Sequence, residues 1–212
     1  MKAAKYATMG FVMLGVAGCA NVERSRNLND PSVTAKSMAQ QVCSACHGLD
    51  GNSISPNFPN LAAQTELYLV SQLQEFRKHT RSDPAGFEYM WGLSRHLTDQ
   101  QVSGLASYFS GQILQPIQVG DVQNIAGKKI FEAGVPEKNV PACSACHGDH
   151  GQGKDQTPRL AGQHADYLTK QLSVFQRTDT RPDGAVMKII AHDLSEANKT
   201  DVAAYLQAMV PK

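Results

Sequence analysis

Two short stretches of this chain are nearly identical: Cys43-Ser44-Ala45-Cys46-His47-Gly48 and Cys143-Ser144-Ala145-Cys146-His147-Gly148. Each offers two thiols three positions apart and an imidazole directly after the second. This spacing suits covalent haem attachment. Two thiols add across the two vinyl groups on one porphyrin edge, and the adjacent histidine swings beneath the ring to ligate iron. The expectation is two haem c groups, anchored by Cys43, Cys46, Cys143 and Cys146, with His47 and His147 on the irons. Three rival chemistries fit less well. A four-cysteine zinc site usually brings its cysteine pairs within roughly 15 to 20 residues and needs no histidine after both. Two short CxxC disulfide loops would be weak staples and leave the paired histidines unexplained. A thioredoxin-like motif belongs in an alternating βα pattern, which the sequence lacks.

A low-spin haem iron needs a sixth ligand. Beyond the motifs the candidates are Met38, Met90, Met187, Met209, His79, His96, His150, His164 and His192. Met90 and Met187 occupy equivalent places, each seven residues before a leucine (Leu97 and Leu194) that opens a last helix. They are the expected axial sulfurs. Met209 reads as a core filler on an apolar helix face, and Met38 has no counterpart. His96 and His192 match roughly, which leaves bis-histidine ligation open, although both also read as exposed polar residues.

The duplication runs well beyond the motifs. Residues 57–76 (NFPNLAAQTELYLVSQLQEF) align with 156–175 (QTPRLAGQHADYLTKQLSVF) at an offset of 99, and residues 89–109 align with 186–206 at an offset of 97. Leu69, Leu73 and Phe76 recur at helical spacing, as do Leu168, Leu172 and Phe175, so each segment predicts a helix with one apolar face. The expected fold is all-α, each half carrying a helix before its motif, a middle helix and a last helix. These fall near 35–42, after 64 and from 98 in the first half, and near 122–132, 165–175 and 195–209 in the second. Thr98-Asp-Gln-Gln101 has capping-box form. Residues 111–120, with glycine at both ends and Pro116 between, suit a connector. The expected division is an N-terminal domain over 34–114 and a C-terminal domain over 115–212.

The N-terminus reads as a targeting segment. Lys2 and Lys5 precede an apolar run, Ala7 to Val16, far short of the roughly 20 residues that span a bilayer. The segment ends in Val16-Ala17-Gly18-Cys19, which resembles the cleavage motif of bacterial lipoproteins. Residues 1–18 are then a signal peptide, Cys19 a lipid-bearing anchor and residues 19–33 a polar tether. The alternative is an ordinary leader that discards Cys19. Either reading has the mature protein exported, and acyl chains contribute about 0.8 kcal/mol per buried methylene toward holding it at a membrane surface. Of the 20 Lys and Arg, two lie in this leader. The remainder sets 18 basic residues against 19 acidic ones, a formal charge of −1 with no basic stripe, which gives no support to nucleic-acid binding.

The doubled CxxCHG, the Pro-Asn-Leu and Pro-Arg-Leu turns, the LAxQxxxYLxxQL stretches, the methionine seven before leucine and residues 127–148 (GKKIFEAGVPEKNVPACSACHG) together resemble the dihaem cytochrome c4 family. The likeness covers nearly all of the mature chain. It implies two tandem class I cytochrome c domains, haems close together at their propionate edges, and electron shuttling in the bacterial periplasm. It also implies that the backbone carbonyls of Pro59 and Pro158 accept the Nδ1 protons of the ligand histidines. Arg81 and Arg181 follow the middle helices, where either propionate pairing or a solvated surface role is open. Tyr68 and Tyr167 reach the haem region or the core. The segment from Arg81 to Met90 is three residues longer than that from Arg181 to Met187, and Trp91 follows the first methionine only, so the two haem edges should differ.

The functional expectation is therefore a carrier, not an enzyme. It takes single electrons from a quinol-oxidising cytochrome complex or a periplasmic dehydrogenase and passes them to a terminal oxidase. A fixed electron-transfer subunit of a larger oxidoreductase is the first alternative. A dihaem peroxidase is the second, and it requires an open sixth position on one iron.

Overall fold

The computed structural model describes residues 26–84, 86–119, 124–177 and 179–210. The leader and residues 19–25 of the tether, Cys19 among them, lie outside them. Among the described residues the chain is helical. The only β features are two isolated bridges, Val135 with Val140 and Lys154 with Thr157. No described helix is long and apolar enough to cross a membrane.

In the first half, Thr34 caps α1 (Ala35–Met38) by accepting from the Ser37 N–H. The helix continues through a π-helical turn, Ala39–Cys43, into α2 (Ser44–His47), which carries the motif. Next come α3 (Glu66–Arg77), a second π-helical turn (Gly86–Met90) leading into α4 (Trp91–Ser94), and α5 (Asp99–Ser110). The second half runs α6 (Ile125–Ala133), α7 (Ser144–His147), α8 (Ala165–Arg177), α9 (Ala185–Ala191) and α10 (Glu196–Ala208). The Thr98 box forms as expected, and Ser195 with Asn198 makes its counterpart on α10, each pair satisfying N–H groups the helix start would leave open. The expected start of the sixth helix is corrected: it begins at Ile125, capped by Asn124, and residues 120–123 fall outside the description. Sequence periodicity also missed the short helices around Met90 and Met187, which are too brief to show a repeat.

Each half has its own core. Met38, Leu69, Leu97, Val102, Leu105 and Phe109 fill the first, and Ile130, Phe131, Leu168, Phe175, Leu194, Val202 and Leu206 fill the second. Met209 packs against the second core, as its place on the helix suggested. The first and last helices of each half approach closely at a glycine, though on opposite partners. Gly104 of α5 faces Ala35 of α1, whereas Gly127 of α6 faces α10, where an added Cβ would lie 2.1 Å from the Asp201 carbonyl oxygen.

Lys199 of α10 is fully buried. Its ammonium donates to Ser173 Oγ, Gln176 Oε1 and Glu196 Oε1 at 2.7–2.8 Å, tying α10 to α8. Three acceptors match its three donors, the condition under which a buried ammonium is tolerated.

Gly127→Ala tests the α6–α10 crossing. Its gain in helix propensity is about 1 kcal/mol, set against overpacking costs of about 1–3 kcal/mol, and here the clash is with backbone that cannot swing away. Guanidinium unfolding of the holoprotein should show a lower midpoint; an unchanged or higher midpoint would refute the close approach.

Candidate haem sites

α2 and α7 are single turns that set the thiols and the imidazole of each motif on one short stretch of chain. All four cysteines are free. Cys43 and Cys143 pack against the cores of their halves, and burial pushes each thiol up to about 11, so neither is a standing thiolate. The turn ends at Gly48 and Gly148 with φ of +76° and +84°. A Cβ on Gly48 would meet the Asn52 carbonyl oxygen at 2.2 Å, which explains why glycine completes the first motif.

His47 and His147 are buried. His47 Nδ1–H donates to the Pro59 carbonyl at 2.9 Å, and His147 Nδ1–H to the Pro158 carbonyl at 2.8 Å. The proline loops are pinned to their own motifs. The Gly51 carbonyl accepts from Leu61 and Ala62, and the Gly151 carbonyl accepts from Leu160 and Ala161, at 2.7–3.1 Å. Burial lowers both imidazole pKa values, partly opposed by the carbonyl bonds, so the rings are neutral with Nε2 as the remaining basic nitrogen.

Phe58 makes edge contacts with both the His47 ring (6.1 Å) and the Tyr89 ring (6.3 Å), linking the motif to the residue beside Met90. Met187 on α9 packs against the second core together with Cys143. His79, His96, His150 and His192 are exposed, and His164 is buried with Nε2 bonded to the Ser53 carbonyl at 2.9 Å. Trp91 stacks on His79 at 4.7 Å, and His79 stacks on Phe87 at 5.5 Å, an aromatic ladder built on the longer first-half segment.

Arg81 and Arg181 are not solvated surface residues: both are buried at the junction of the halves. Each guanidinium lies over a phenylalanine of its own half, Arg81 over Phe76 at 4.4 Å and Arg181 over Phe175 at 4.6 Å. Arg81 pairs with fully buried Asp83 at 3.0 Å and donates to Gln72 and Gln171. Arg181 donates to Gln171 (2.6 Å), Gln72 (2.9 Å) and Tyr68 (3.2 Å), and lies 3.9 Å from Asp183. Sequence reasoning missed the glutamines, although Gln72 and Gln171 recur at the repeat offset. Burial pushes the Tyr167 phenol up, keeping it protonated beside these cations.

The chain's own groups fit a haem in each half. The donor set is two free thiols and one neutral imidazole per half. Arg159 Nη1 and Arg181 Nε are buried donors with no protein partner, which is where an anionic carboxylate would be stabilised. A cleft beside the first motif is lined by Cys46, Gly48, Ile54, Ser55 and Phe58, and Ile54 stands almost fully exposed on it.

This arrangement defines a chain of two class I cytochrome c folds in tandem. The cytochrome c family model matches residues 32–111 and again 125–209. Cytochrome c4 of Azotobacter vinelandii is 38% identical over 79% of this chain and 84% of its own length. The crystal structure of reduced cytochrome c4 from Pseudomonas stutzeri superposes with a TM-score of 0.74 at 35% identity, over 86% of this chain and all of that one. A thiosulfate dehydrogenase electron acceptor of Stutzerimonas stutzeri is 31% identical over 79% of this chain and 78% of its own length. The chain belongs to the dihaem cytochrome c4 family, binds two haem c groups and transfers electrons.

The buried Arg81–Asp83 pair yields a stability prediction. Removing one partner of such a pair costs about 3–5 kcal/mol, because the other charge stays buried and alone. Asp83→Ala should lower the unfolding midpoint of the holoprotein sharply, while Glu132→Ala, which breaks the exposed Lys128–Glu132 pair, should leave it nearly unchanged. Equal effects would contradict the buried assignment.

Proposed function

We propose that this protein is a periplasmic one-electron carrier in which Cys43 and Cys46, and Cys143 and Cys146, hold the two haems through thioether bonds. His47 with Met90 and His147 with Met187 supply the iron ligands. The observation that carries this reading is the equivalent neutral histidine in each half, its Nδ1 committed to a proline carbonyl and Nε2 left to bind metal. Bound haem supplies a one-electron change at iron whose potential is set by axial ligands, hydrogen bonding and burial. The chain's residues orient the imidazole, and the methionine-bearing segments would supply the second iron ligand. The chain's residues also exclude water from the buried junction.

With imidazole and thioether both committed, no coordination position remains for oxygen or peroxide, which favours a carrier over a peroxidase. Neutral thioether sulfur donates weakly to ferric iron, so the potential is high and suits delivery from a quinol-oxidising complex or a periplasmic dehydrogenase to a terminal oxidase. Docking with such partners is expected to be small and transient. The division into domains at residues 34–114 and 115–212, a cleaved leader over residues 1–18 and a lipid on Cys19 belong to this reading. The lipid would keep delivery at a membrane surface. Arg81 and Arg181 are assigned to the propionate side of the site; the unpartnered Arg181 Nε supports this.

A fixed electron-acceptor subunit is the second reading, favoured by the relative named as a thiosulfate dehydrogenase electron acceptor. Co-purification in constant ratio with a dehydrogenase from native membranes would support it over the mobile carrier.

Ferric spectroscopy tests the ligand assignment. The oxidised protein should show a methionine–sulfur charge-transfer band equivalent to two sites, and Met90→Leu or Met187→Leu should each remove about half of it and create a high-spin fraction. A band unaffected by either substitution would overturn the assignment, and its absence from the wild type would return the bis-histidine alternative.

A further inference from the structure

Four hydrogen bonds between the halves form two matching pairs. Gln163 of the second half accepts from the Asn60 N–H through Oε1 (2.8 Å) and donates through Nε2 to the Asn60 carbonyl (3.0 Å). Gln64 of the first half does the same to Arg159, accepting from its N–H (2.7 Å) and donating to its carbonyl (3.1 Å). Each glutamine oxygen also takes the N–H of the residue after it, Thr65 at 2.9 Å and His164 at 3.1 Å. Gln64, Gln163 and Asn60 are all buried.

Asn60 and Arg159 directly follow the two prolines whose carbonyls hold the histidines. The Asn60 N–H and the Pro59 carbonyl therefore belong to one peptide unit, as do the Arg159 N–H and the Pro158 carbonyl. An acceptor on the N–H side of an amide draws the group toward its charge-separated form and makes its carbonyl oxygen a stronger acceptor, the cooperativity of linked hydrogen bonds. The chain of contacts then runs from Gln163 through peptide 59–60 to His47, and from Gln64 through peptide 158–159 to His147. Each relay starts in one half and ends on the ligand of the other.

We propose that Gln163 and Gln64 are crossed positioning residues: each one tunes the axial histidine, and hence the reduction potential, of the opposite half. A stronger acceptor at Nδ1 gives the imidazole more imidazolate character and raises its basicity as a ligand. That favours ferric iron and lowers the potential. Loss of the glutamine weakens the acceptor and raises it.

The test uses full-length holoprotein carrying Gln163→Met or Gln64→Met, which keep side-chain length and remove both polar atoms. Haem methyl resonances, assigned to each half by their contacts with neighbouring side chains, are followed through a redox titration. Gln163→Met should move the first-half equilibrium about threefold toward ferrous, about 28 mV at 59 mV per tenfold for one electron, and leave the second half nearly unmoved. Gln64→Met should do the reverse. In the reduced protein the Nδ1–H resonance of the opposite histidine should move upfield. Gln163→Glu retains an accepting oxygen, covers the case in which the methionine variant does not fold, and should move the His47 Nδ1–H downfield. A shift confined to the variant's own half, equal shifts in both, or none in either, overturns the proposal, and so does an Nδ1–H that moves the same way in Gln163→Met and Gln163→Glu, which loss of packing alone would give. The proposal rests on ligation by His47 and His147. If that reading fails, the wild-type protein already lacks two low-spin sets of haem resonances, before any variant is made.

Discussion

An imidazole held edge-on by a proline carbonyl is the constraint on which both halves are built. A histidine on a one-turn helix has a free χ2, and under the proposed ligation Nε2 would meet iron squarely only if something fixes the ring. The Pro59 and Pro158 carbonyls do this, and they are themselves held: the Gly51 and Gly151 carbonyls tie each proline loop back to the motif that carries the histidine. Removing any one of these contacts frees the next. The helices behind them, crossing where glycine permits, provide a platform too dense to shift.

The junction between the halves is tied together by buried polar groups. Arg81, Asp83, Gln72, Gln171, Arg181 and Tyr68 form one network, with Asn60, Gln64, Arg159 and Gln163 in another. A buried polar network tolerates few alternative geometries, because any slip leaves charged donors unpaired at a cost of several kcal/mol. Such a junction fixes the relative placement of two electron-carrying centres, whose exchange depends on distance. The halves are not equivalent. Arg81 has its carboxylate at 3.0 Å and Arg181 has Asp183 at 3.9 Å, and only the first half carries the His79, Phe87 and Trp91 ladder.

Much of the proposed site was legible because its chemistry demands fixed spacing. Two thiols and an imidazole must be adjacent in the chain, so the motif is visible without a fold, and the amphipathic helices after Gln64 and before Phe175 announce themselves by period. The junction left no comparable trace. Arginine after a helix and glutamine on one look like surface residues until a second body covers them, and of the two roles left open for Arg81 and Arg181 the solvated one gave way for that reason. Fully buried Lys199 was hidden in the same way, since its three acceptors come from separate parts of α8 and α10. One signal was available: Gln64 and Gln72 recur as Gln163 and Gln171 at the same offset. Polar residues retained in register by both copies of a duplication are candidates for contacts the copies make with each other. The π-helical turns before Cys46 and at Met90 depend on backbone packing and have no side-chain signature.

The central claim is that iron porphyrin is gripped covalently in both halves. A pyridine haemochrome assay combined with intact-mass measurement of the mature protein addresses it directly. The account requires two thioether-linked haems per chain, a mass increased by two haem groups, and no alkylatable thiol among Cys43, Cys46, Cys143 and Cys146. One haem, none, or a free thiol in either motif would contradict it.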